Sequence, residues 1–420
     1  MGLKLVIGSF CLLYACHKFV GFWRAIQSIK NHPGHRLIFS LDNIIGSLLP
    51  KIKYLSLGRN SAFLGKHDPF VLFGSDIYSV VSISNNIQTT FVLADAAAIK
   101  EVAYSRARFP KPVHHYKALT FYGRNIVASE GDEWKTYRKI SAPAFSNRNN
   151  KLVWDETLQI MEGLFAEVWE NKDVISVDHF LETTMLLGSG RFGKKISWTE
   201  DGVTMAPGHQ MSFKEALHVV TTNFIIKIVV PKLSSGEQKP EFSNITSPKQ
   251  TIQTYENMPQ LTYCLAVFYE ALRLFPPATT IPKISAEDTT LTTVDINGGR
   301  VNVPVPKGCH VSLSAVGLHY NPRYWEDPHA FKPERFLGVW PRDAFLPFSS
   351  GARACLGKKF AETEGIAILT MLISRYKITI KEEASFAGET FEERKERVLS
   401  TRRGMTITPV RMPLTFTRRT

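Results

Sequence analysis

The sequence has few cysteines and no pairing pattern among them. Only 5 of its 420 residues are cysteine, and no two of them form a Cys-x-x-Cys motif. This excludes a zinc ribbon and a thioredoxin-type redox site. Few, widely spaced cysteines in odd number are typical of a protein in a reducing compartment such as the cytosol. We interpret Cys264 and Cys309 as small buried hydrophobic residues.

The sequence also lacks the features of a nucleic-acid-binding protein. The formal net charge is +13, yet there is no arginine-rich run and no platform of alternating basic and aromatic residues. We therefore expect no nucleic acid partner. A basic surface that is simply solvated, or that meets anionic lipid or an acidic protein, explains the charge. No internal repeat is present, and 44% hydrophobic residues are enough for a large core.

The N-terminus carries an apolar run. It extends over residues 5–16 and resumes over residues 19–23, and the two parts together are long enough for a bilayer core of roughly 30 Å. Basic residues lie mostly after the run: Lys18, Arg24, Lys30 and Arg36, against Lys4 before it. This bias favours a cytosolic C-terminal part. Residues 1–30 are predicted to be a single-pass membrane anchor with its linker; a cleaved signal peptide or a peripheral helix is the alternative.

Hydrophobic periodicity predicts the following elements. Short β-like runs are expected at 70–73 and 78–84, and short strands alternating with turns at 281–318. Helices are expected at 94–104, 132–141, 150–170, 174–187, 213–230 and 259–274, with a strongly amphipathic helix at 356–375. Residues 233–259 are predicted to be loop, and 405–416 paired strands.

One constellation indicates chemistry. Residues 348–357 read Phe-x-x-Gly-x-Arg-x-Cys-x-Gly and run straight into the last strong helix. The thiolate of Cys355 can bind a metal, and a helix N-terminus stabilises its charge. Gly351 would let the backbone approach a flat cofactor, and Gly357 would permit a tight turn. Phe348 can shield the sulfur from water, and Arg353 can donate to a carboxylate. A buried structural cysteine in a turn is the alternative.

This segment resembles the haem-ligand loop of the cytochrome P450 family, the haem-thiolate monooxygenases. Two further patterns agree with the resemblance. Glu270-x-x-Arg273 and the later Arg335 match the family's buried Glu-x-x-Arg network beneath the haem loop, and Trp134-x-x-x-Arg138 matches a helix that faces the haem propionates. Lys283 lies where the family often places another propionate-binding cation.

The resemblance implies a mainly α fold with a small β-rich lobe (α+β), over a haem domain of residues 31–420. It implies haem b with Cys355 as axial ligand and Trp134, Arg138, Arg353 and Lys283 at its propionates. An NADPH-dependent flavoprotein reductase would dock near Arg353, Lys358 and Lys359, and a small apolar organic substrate would be oxidised with O2. The eukaryotic microsomal style implies the endoplasmic reticulum membrane and contact with lipid.

One part of the family pattern is missing. The family activates dioxygen on a long central helix carrying a small-Gly-x-acid-Thr motif, and no such motif stands between Arg138 and Glu270. We therefore expect an internal deletion around residues 232–251, and no catalytic acid–alcohol pair can be assigned. Two hypotheses follow: a membrane-anchored monooxygenase, or a catalytically impaired haem-binding remnant or shortened form of such an enzyme.

Two other motifs in the sequence contain residue types found in ligand sites. Residues 188–193 match Gly-x-Gly-x-x-Gly, but no strand precedes them, so a helix-ending turn is preferred over a dinucleotide site. His114 and His115 are metal-ligand types, but adjacent residues rarely share a face and no third ligand is evident, so no metal site is predicted there.

Overall fold

The structure is a computed structural model that describes residues 2–40, 46, 48–58, 60–84, 86–120, 123–178, 254–295, 297–403 and 406–419. Several predictions lie outside these residues: the helices at 179–187 and 213–230, most of the loop at 233–259, the glycine motif at 188–193 and the deletion around 232–251.

The described helices, in chain order, are α1 (Gly2–Ser28), α2 (Ser61–Leu64), α3 (Asp68–Phe73), α4 (Ala96–Tyr104), α5 (Gly131–Ser141), α6 (Asn147–Gly163), α7 (Thr262–Leu274), α8 (Ala315–His319), α9 (Lys358–Arg375) and α10 (Phe391–Val398). The described strands are β1 (Gly34–Leu37), β2 (Ile77–Ser82), β3 (Gln88–Leu93), β4 (Val174–Val177), β5 (Thr280–Ile284), β6 (Thr289–Val294), β7 (Arg300–Val305), β8 (His310–Ser314), β9 (Tyr376–Ile380), β10 (Thr401–Arg403), β11 (Ile407–Pro409) and β12 (Leu414–Arg418). The expected fold class, mainly α with small β sheets, is confirmed.

The chain divides into two compact units. The first contains residues 1–139, 278–329 and 341–355, and the second contains residues 140–277, 330–340 and 356–420. Each unit is therefore built from segments that are far apart in the sequence.

The first unit is organised around a five-stranded sheet in the order β1-β2-β3-β8-β5. β2 is buried along its whole length, and Phe70 of α3 packs against Tyr78 in the hydrophobic cluster that covers it. β8 pairs with β3 in parallel and with β5 in antiparallel orientation, which fixes the positions of His310 and Lys283. β6 and β7 form a separate hairpin.

The prediction of a β-like run at 70–73 is wrong. These residues belong to α3, whose first turn contains Pro69 and whose C-terminal cap is Gly74 in the left-handed region at φ 66°. Proline fits the first helical turn and glycine the left-handed cap, so both ends of this short helix are specified locally.

The second unit is built around α9, which packs against α6 and α7. The prediction that α9 is amphipathic is wrong, because residues 362–372 are buried on every side. Gly365 allows close approach to α7, since a Cβ there would lie 2.5 Å from the Phe268 ring. A helix covered all round needs no polar face, which explains why its sequence reads as apolar in several directions.

A three-stranded antiparallel sheet, in the order β4-β12-β9, completes the core of the second unit. Trp169 contacts both Tyr376 of β9 and Phe416 of β12. The helix predicted from residue 174 is wrong where it is described, because Val174–Val177 is a strand paired with Leu414–Thr417. The residues predicted as loop at 255–259 also differ, since they lie in a 3-10 turn, Tyr255–Gln260.

α1 divides along its length into an exposed and a packed part. Phe10, Leu12 and Leu13 are exposed, whereas Ile26 and Ile29 at and after its C-terminal end are buried. Val6–Ser28 is long and apolar enough to cross a membrane. This pattern is compatible with the predicted anchor, because exposed apolar side chains on one stretch of helix are costly in water.

Candidate functional site

The Cys355 loop is closed by its own backbone. Gly351–Arg353 form a 3-10 turn, the Ala354 amide donates to the Gly351 carbonyl at 3.0 Å, and the Cys355 amide donates to the Phe348 carbonyl at 2.8 Å. Cys355 is exposed and is not in a disulfide. α9 begins three residues further along the chain. The loop therefore presents a thiol at the surface of the first unit in a defined backbone conformation.

The two glycines of the loop differ in backbone conformation. Gly351 is in the left-handed region at φ 67°, and a Cβ there would lie 2.5 Å from the Ala103 carbonyl oxygen of α4. The close approach that requires glycine is thus to protein backbone. Gly357 caps α9 at φ −82°, a conformation open to any residue. Its prediction as a special turn residue is not supported by its backbone angles.

Trp134 and two arginines form a stack. The Arg353 guanidinium lies 4.2 Å from the centre of the Trp134 ring, and that of Arg138 lies 5.5 Å from it. Arg138 also donates to the Ala354 carbonyl at 3.1 Å, which links α5 to the residue before Cys355. Trp134 is buried, so these cation–π contacts are partly shielded from water. The sequence pattern Trp-x-x-x-Arg therefore does meet the Cys355 loop.

Glu130 forms an ion pair with the Arg353 of this stack. The Arg353 Nη2 lies 2.7 Å from a Glu130 carboxylate oxygen and donates to the Ser129 carbonyl at 2.7 Å. Arg106 approaches the same carboxylate at 3.8 Å and lies 4.8 Å from the Trp134 ring centre. Burial raises the pKa of Glu130, but the hydrogen bonds from Arg353 and the Lys111 amide outweigh it, so the pKa lies below its ordinary value.

Two lysines add to the positive charge. Burial, followed by repulsion from Arg353 and Lys283, lowers the pKa of Lys111 to about 8. Burial is also the main cause that lowers the pKa of Lys283, opposed by Glu130 and assisted by Arg353 and Arg106. Both ammonium groups are thus held in a partly desolvated place beside other cations, which is unfavourable unless anions are near.

We call five neighbouring cations the cationic cluster. Arg106, Arg138 and Arg353 contact the Trp134 ring, and Lys111 and Lys283 interact electrostatically with Arg353. Among the ion pairs of the described residues, Glu130 is the carboxylate that two members of the cluster approach, Arg106 and Arg353. The Arg353 Nε is buried without a hydrogen-bond partner. An excess of buried and half-buried cations together with an orphaned donor suits a ligand with two carboxylates, as haem has. The donor set therefore fits this cofactor.

A second group of predicted residues is fully buried in the second unit. The Glu270 carboxylate accepts from Arg273 Nε at 2.7 Å and Nη2 at 2.8 Å, and Arg335 Nε lies 3.2 Å from it. It also accepts from the Lys332 amide at 2.8 Å, and Arg273 donates to the Ala330 carbonyl at 3.0 Å. Glu270 and Arg273 are 0% exposed. The structure thus brings these three charged side chains into one hydrogen-bonded network.

The predicted residues are distributed over both units. Cys355 shares the first unit with Trp134, Arg138, Lys283, Phe348, Gly351 and Arg353, whereas Glu270, Arg273, Arg335 and Gly357 belong to the second. Arg353 is also not an exposed docking residue, because its side chain is only 11% exposed; Lys358 and Lys359 are about half exposed, at 52% and 51%.

Sequence reasoning missed Glu130, Arg106 and Lys111. They lie on the segment between α4 and α5, where hydrophobic periodicity carries no information about charged contacts. One local signal was available for Glu130: it immediately precedes α5, where a carboxylate is stabilised by the helix N-terminus.

Comparison with known proteins gives a consistent result. A family model described as Cytochrome P450 matches residues 66–201 and 239–404, which is more than half of the chain. Cytochrome P450 monooxygenase 124 of Postia placenta is 39% identical over 518 aligned positions, covering 99% of each chain. Because the chain has 420 residues, at least 98 of those positions have no counterpart in it.

More distant relatives agree. Cytochrome P450 monooxygenase ORF6 of Penicillium roqueforti is 24% identical, with 73% of this chain and 76% of the relative covered. Cytochrome P450 4A10 of Rattus norvegicus is 32% identical over 53% of this chain and 38% of the relative.

Proposed function

The chain belongs to the cytochrome P450 family, and from that premise we propose that Cys355 is the residue that ligates its haem iron. Family membership makes the chain a haem-thiolate monooxygenase, an oxidoreductase that receives electrons from a redox partner and oxidises an apolar substrate. The observation that carries the assignment to Cys355 is the hydrogen bond from Arg138 to Ala354, because it joins the cationic cluster to the residue next to this cysteine. We further propose haem b as the form of the cofactor.

The bound haem supplies the activation of dioxygen, and the thiolate ligand favours cleavage of the O–O bond. The protein would have to keep Cys355 as a thiolate and orient its sulfur toward the haem iron. The Gly351–Arg353 turn and the hydrogen bond between Cys355 and Phe348 restrict the loop. The free amides at the start of α9, three residues later, favour a negative charge nearby in the chain. Phe348 contributes through its carbonyl and is proposed to shield the sulfur.

The cationic cluster is proposed to hold the two haem carboxylates. Arg353 and Arg138 would donate hydrogen bonds from a stacked position on Trp134, and Lys283 and Lys111 would contribute charge. Each additional carboxylate relieves repulsion among cations that are already assembled. This preorganisation favours binding because the protein groups need little rearrangement. Trp134 keeps the arginines in place through ring contacts and adds an indole N–H donor.

The Glu270–Arg273–Arg335 network is proposed to be structural. It fixes α7 to the segment around Ala330 and Lys332 through hydrogen bonds of Arg273 and Glu270. Such networks stabilise one arrangement only while all members are present, since removal of one leaves a buried charge without its partner.

We propose a single-pass anchor in the endoplasmic reticulum membrane formed by residues 1–30, followed by one haem-binding domain over 31–420. The electron donor is proposed to be an NADPH-dependent flavoprotein reductase. Lys358 and Lys359 would contribute to its docking, because both are exposed, although each lies within 4.0 Å of a Glu362 oxygen. The membrane would supply lipid contacts to α1 and a route for apolar substrates.

The proposal is tested by turnover. The full-length chain is expressed in microsomes with the reductase and incubated with NADPH, 18O2 and a set of apolar compounds. Incorporation of one labelled oxygen atom in wild type but not in Cys355→Ser supports the assignment. A thiolate-ligated haem spectrum without any turnover would instead favour the impaired remnant, because a chain without the oxygen-activating helix could still bind haem.

A further inference from the structure

Three histidines meet at the surface of the first unit, away from the Cys355 loop in sequence. His114 and His115 are exposed in the 3-10 turn Val113–Thr120, and His310 begins β8. One ring nitrogen from each lies within 4.8 Å of the others. The ring centres of His114 and His115 are 4.4 Å apart, and the His310 ring centre lies 6.2 Å from that of His114 and 5.0 Å from that of His115. The expectation that adjacent histidines do not share a face is therefore wrong here.

The geometry points to a divalent metal site, and we propose that His114, His115 and His310 bind one Zn2+ or a similar late first-row ion. Imidazole is a preferred ligand of zinc, copper and nickel, whereas magnesium and calcium require oxygen ligands. Zinc–nitrogen bonds of about 2.1 Å at tetrahedral angles place ligand nitrogens roughly 3.4 Å apart. The ring nitrogens lie within 4.8 Å of one another, so binding requires them to approach by at most about 1.4 Å.

The neighbourhood of His310 resembles the outer shell of a metal site. Its Nδ1 lies 2.7 Å from the side-chain amide nitrogen of Gln88, so the ring is oriented by a neighbour on β3. Metal-binding histidines are usually fixed by a hydrogen bond to the other ring nitrogen. A half-turn of the Gln88 amide presents its oxygen to Nδ1–H and leaves Nε2 to bind the ion.

Space for the ion and its remaining ligands is present. The three histidines and Gln88 line an open cavity of about 400 Å³ together with Thr89 and Lys307. Three protein ligands leave a fourth tetrahedral position for water. Lys307 is exposed to solvent, which screens its repulsion of a cation.

Binding would join two parts of the first unit. His310 is fixed in the sheet by pairing with Thr90 and Ile284, whereas His114 and His115 lie on a 3-10 turn between α4 and α5. The same segment continues to Glu130 and then to Trp134. A bound ion would therefore fasten this segment to the end of β8 and reduce its motion.

The test measures zinc directly. Full-length protein with a tag free of histidine is stripped with a chelator and dialysed against buffered free Zn2+, and bound zinc is determined by elemental analysis. We expect one zinc per chain in wild type and affinity weaker by on the order of 100-fold in His310→Gln and in His114→Ala/His115→Ala. His310→Gln keeps a polar side chain beside Gln88. His329→Ala, at an exposed histidine outside the cluster, should bind as wild type does.

Hydrogen exchange provides a second readout that does not depend on enzyme activity. Zinc should slow amide exchange over residues 113–120 in wild type and leave it unchanged in His310→Gln. The proposed site would be contradicted if wild type bound no zinc at 100 µM free ion, or if the variants bound zinc with unaltered affinity. Binding without slower exchange would overturn the fastening of the turn.

Discussion

The guanidinium of Arg353 lies 4.2 Å from the centre of the Trp134 ring and 2.7 Å from the Glu130 carboxylate. This position between a ring face and an anion fixes the plane of the arginine two residues before Cys355. A planar guanidinium can stack and donate at the same time, which a lysine ammonium cannot do. The relationship explains why the proposed cofactor site requires arginine at this position.

Arg353→Lys should therefore lower haem retention although the charge is kept. The lysine loses the stacked contact and the paired hydrogen bonds, so we expect haem content per purified chain to fall severalfold. Pyridine haemochrome assay measures it. Arg300→Lys is the matched control, because Arg300 is exposed at the start of β7. Equal haem content in both variants would contradict the role of Arg353.

Glu270→Gln should destabilise the second unit strongly. The substitution leaves Arg273 and Arg335 beside a neutral side chain in a place without water, which costs about 3–5 kcal/mol. Denaturant unfolding followed by circular dichroism measures the change. Glu392→Gln is the control, since its ion pair with Lys395 is exposed and should contribute little. A loss for Glu270→Gln no larger than for the control would refute a buried ionic network.

Gly351→Ala tests the close approach of the Cys355 loop to α4. An alanine at φ 67° costs roughly 1–2 kcal/mol for the left-handed conformation alone, and its Cβ would also meet the Ala103 carbonyl at 2.5 Å. Gly298→Ala is the control for backbone strain, because it has φ 81° and nothing within 4 Å. The Gly351 variant should unfold at clearly lower denaturant concentration than the Gly298 variant. Similar unfolding midpoints for the two variants would contradict a close packing contact between Gly351 and Ala103.

Haem affinity should depend on pH through Lys111. Its pKa is about 8 before the carboxylates bind, and a haem carboxylate nearby stabilises the ammonium and raises the pKa. Binding is then coupled to proton uptake, so affinity is greatest below pH 8 and decreases as pH rises above it. The rate of haem transfer to an acceptor protein should accelerate from pH 7.5 to 9.5. Lys111→Met should flatten this pH profile. An unchanged profile would show that Lys111 is not the source of the pH dependence of haem affinity.

Which parts of the fold could be predicted from the sequence depends on how far apart in the chain the interacting residues lie. Glu270 and Arg273, or Trp134 and Arg138, lie within one helical turn, so their shared faces follow from helix geometry. β4 could not be recognised, because what makes Val174–Val177 a strand is its pairing with β12 more than 230 residues away. The buried surroundings of α9 likewise depend on α6 and α7, which flank a long undescribed segment.

The functional site shows the same division. The Cys355 motif and its arginine were readable because their spacing is local. Glu130, Arg106 and Lys111 were not, since their contacts with one another depend on the path of the chain between α4 and α5. His310 as a partner of His114 and His115 depends on the order of strands in the five-stranded sheet.

The most direct test of the account is the difference spectrum of the reduced protein with carbon monoxide, recorded on purified full-length chain. Wild type and Cys16→Ser, which alters an exposed cysteine of α1, should both give the red-shifted band of thiolate-ligated haem. Cys355→Ser should not give this band. A thiolate band that survives in Cys355→Ser, or its absence from wild type loaded with haem, would contradict Cys355 as the iron ligand.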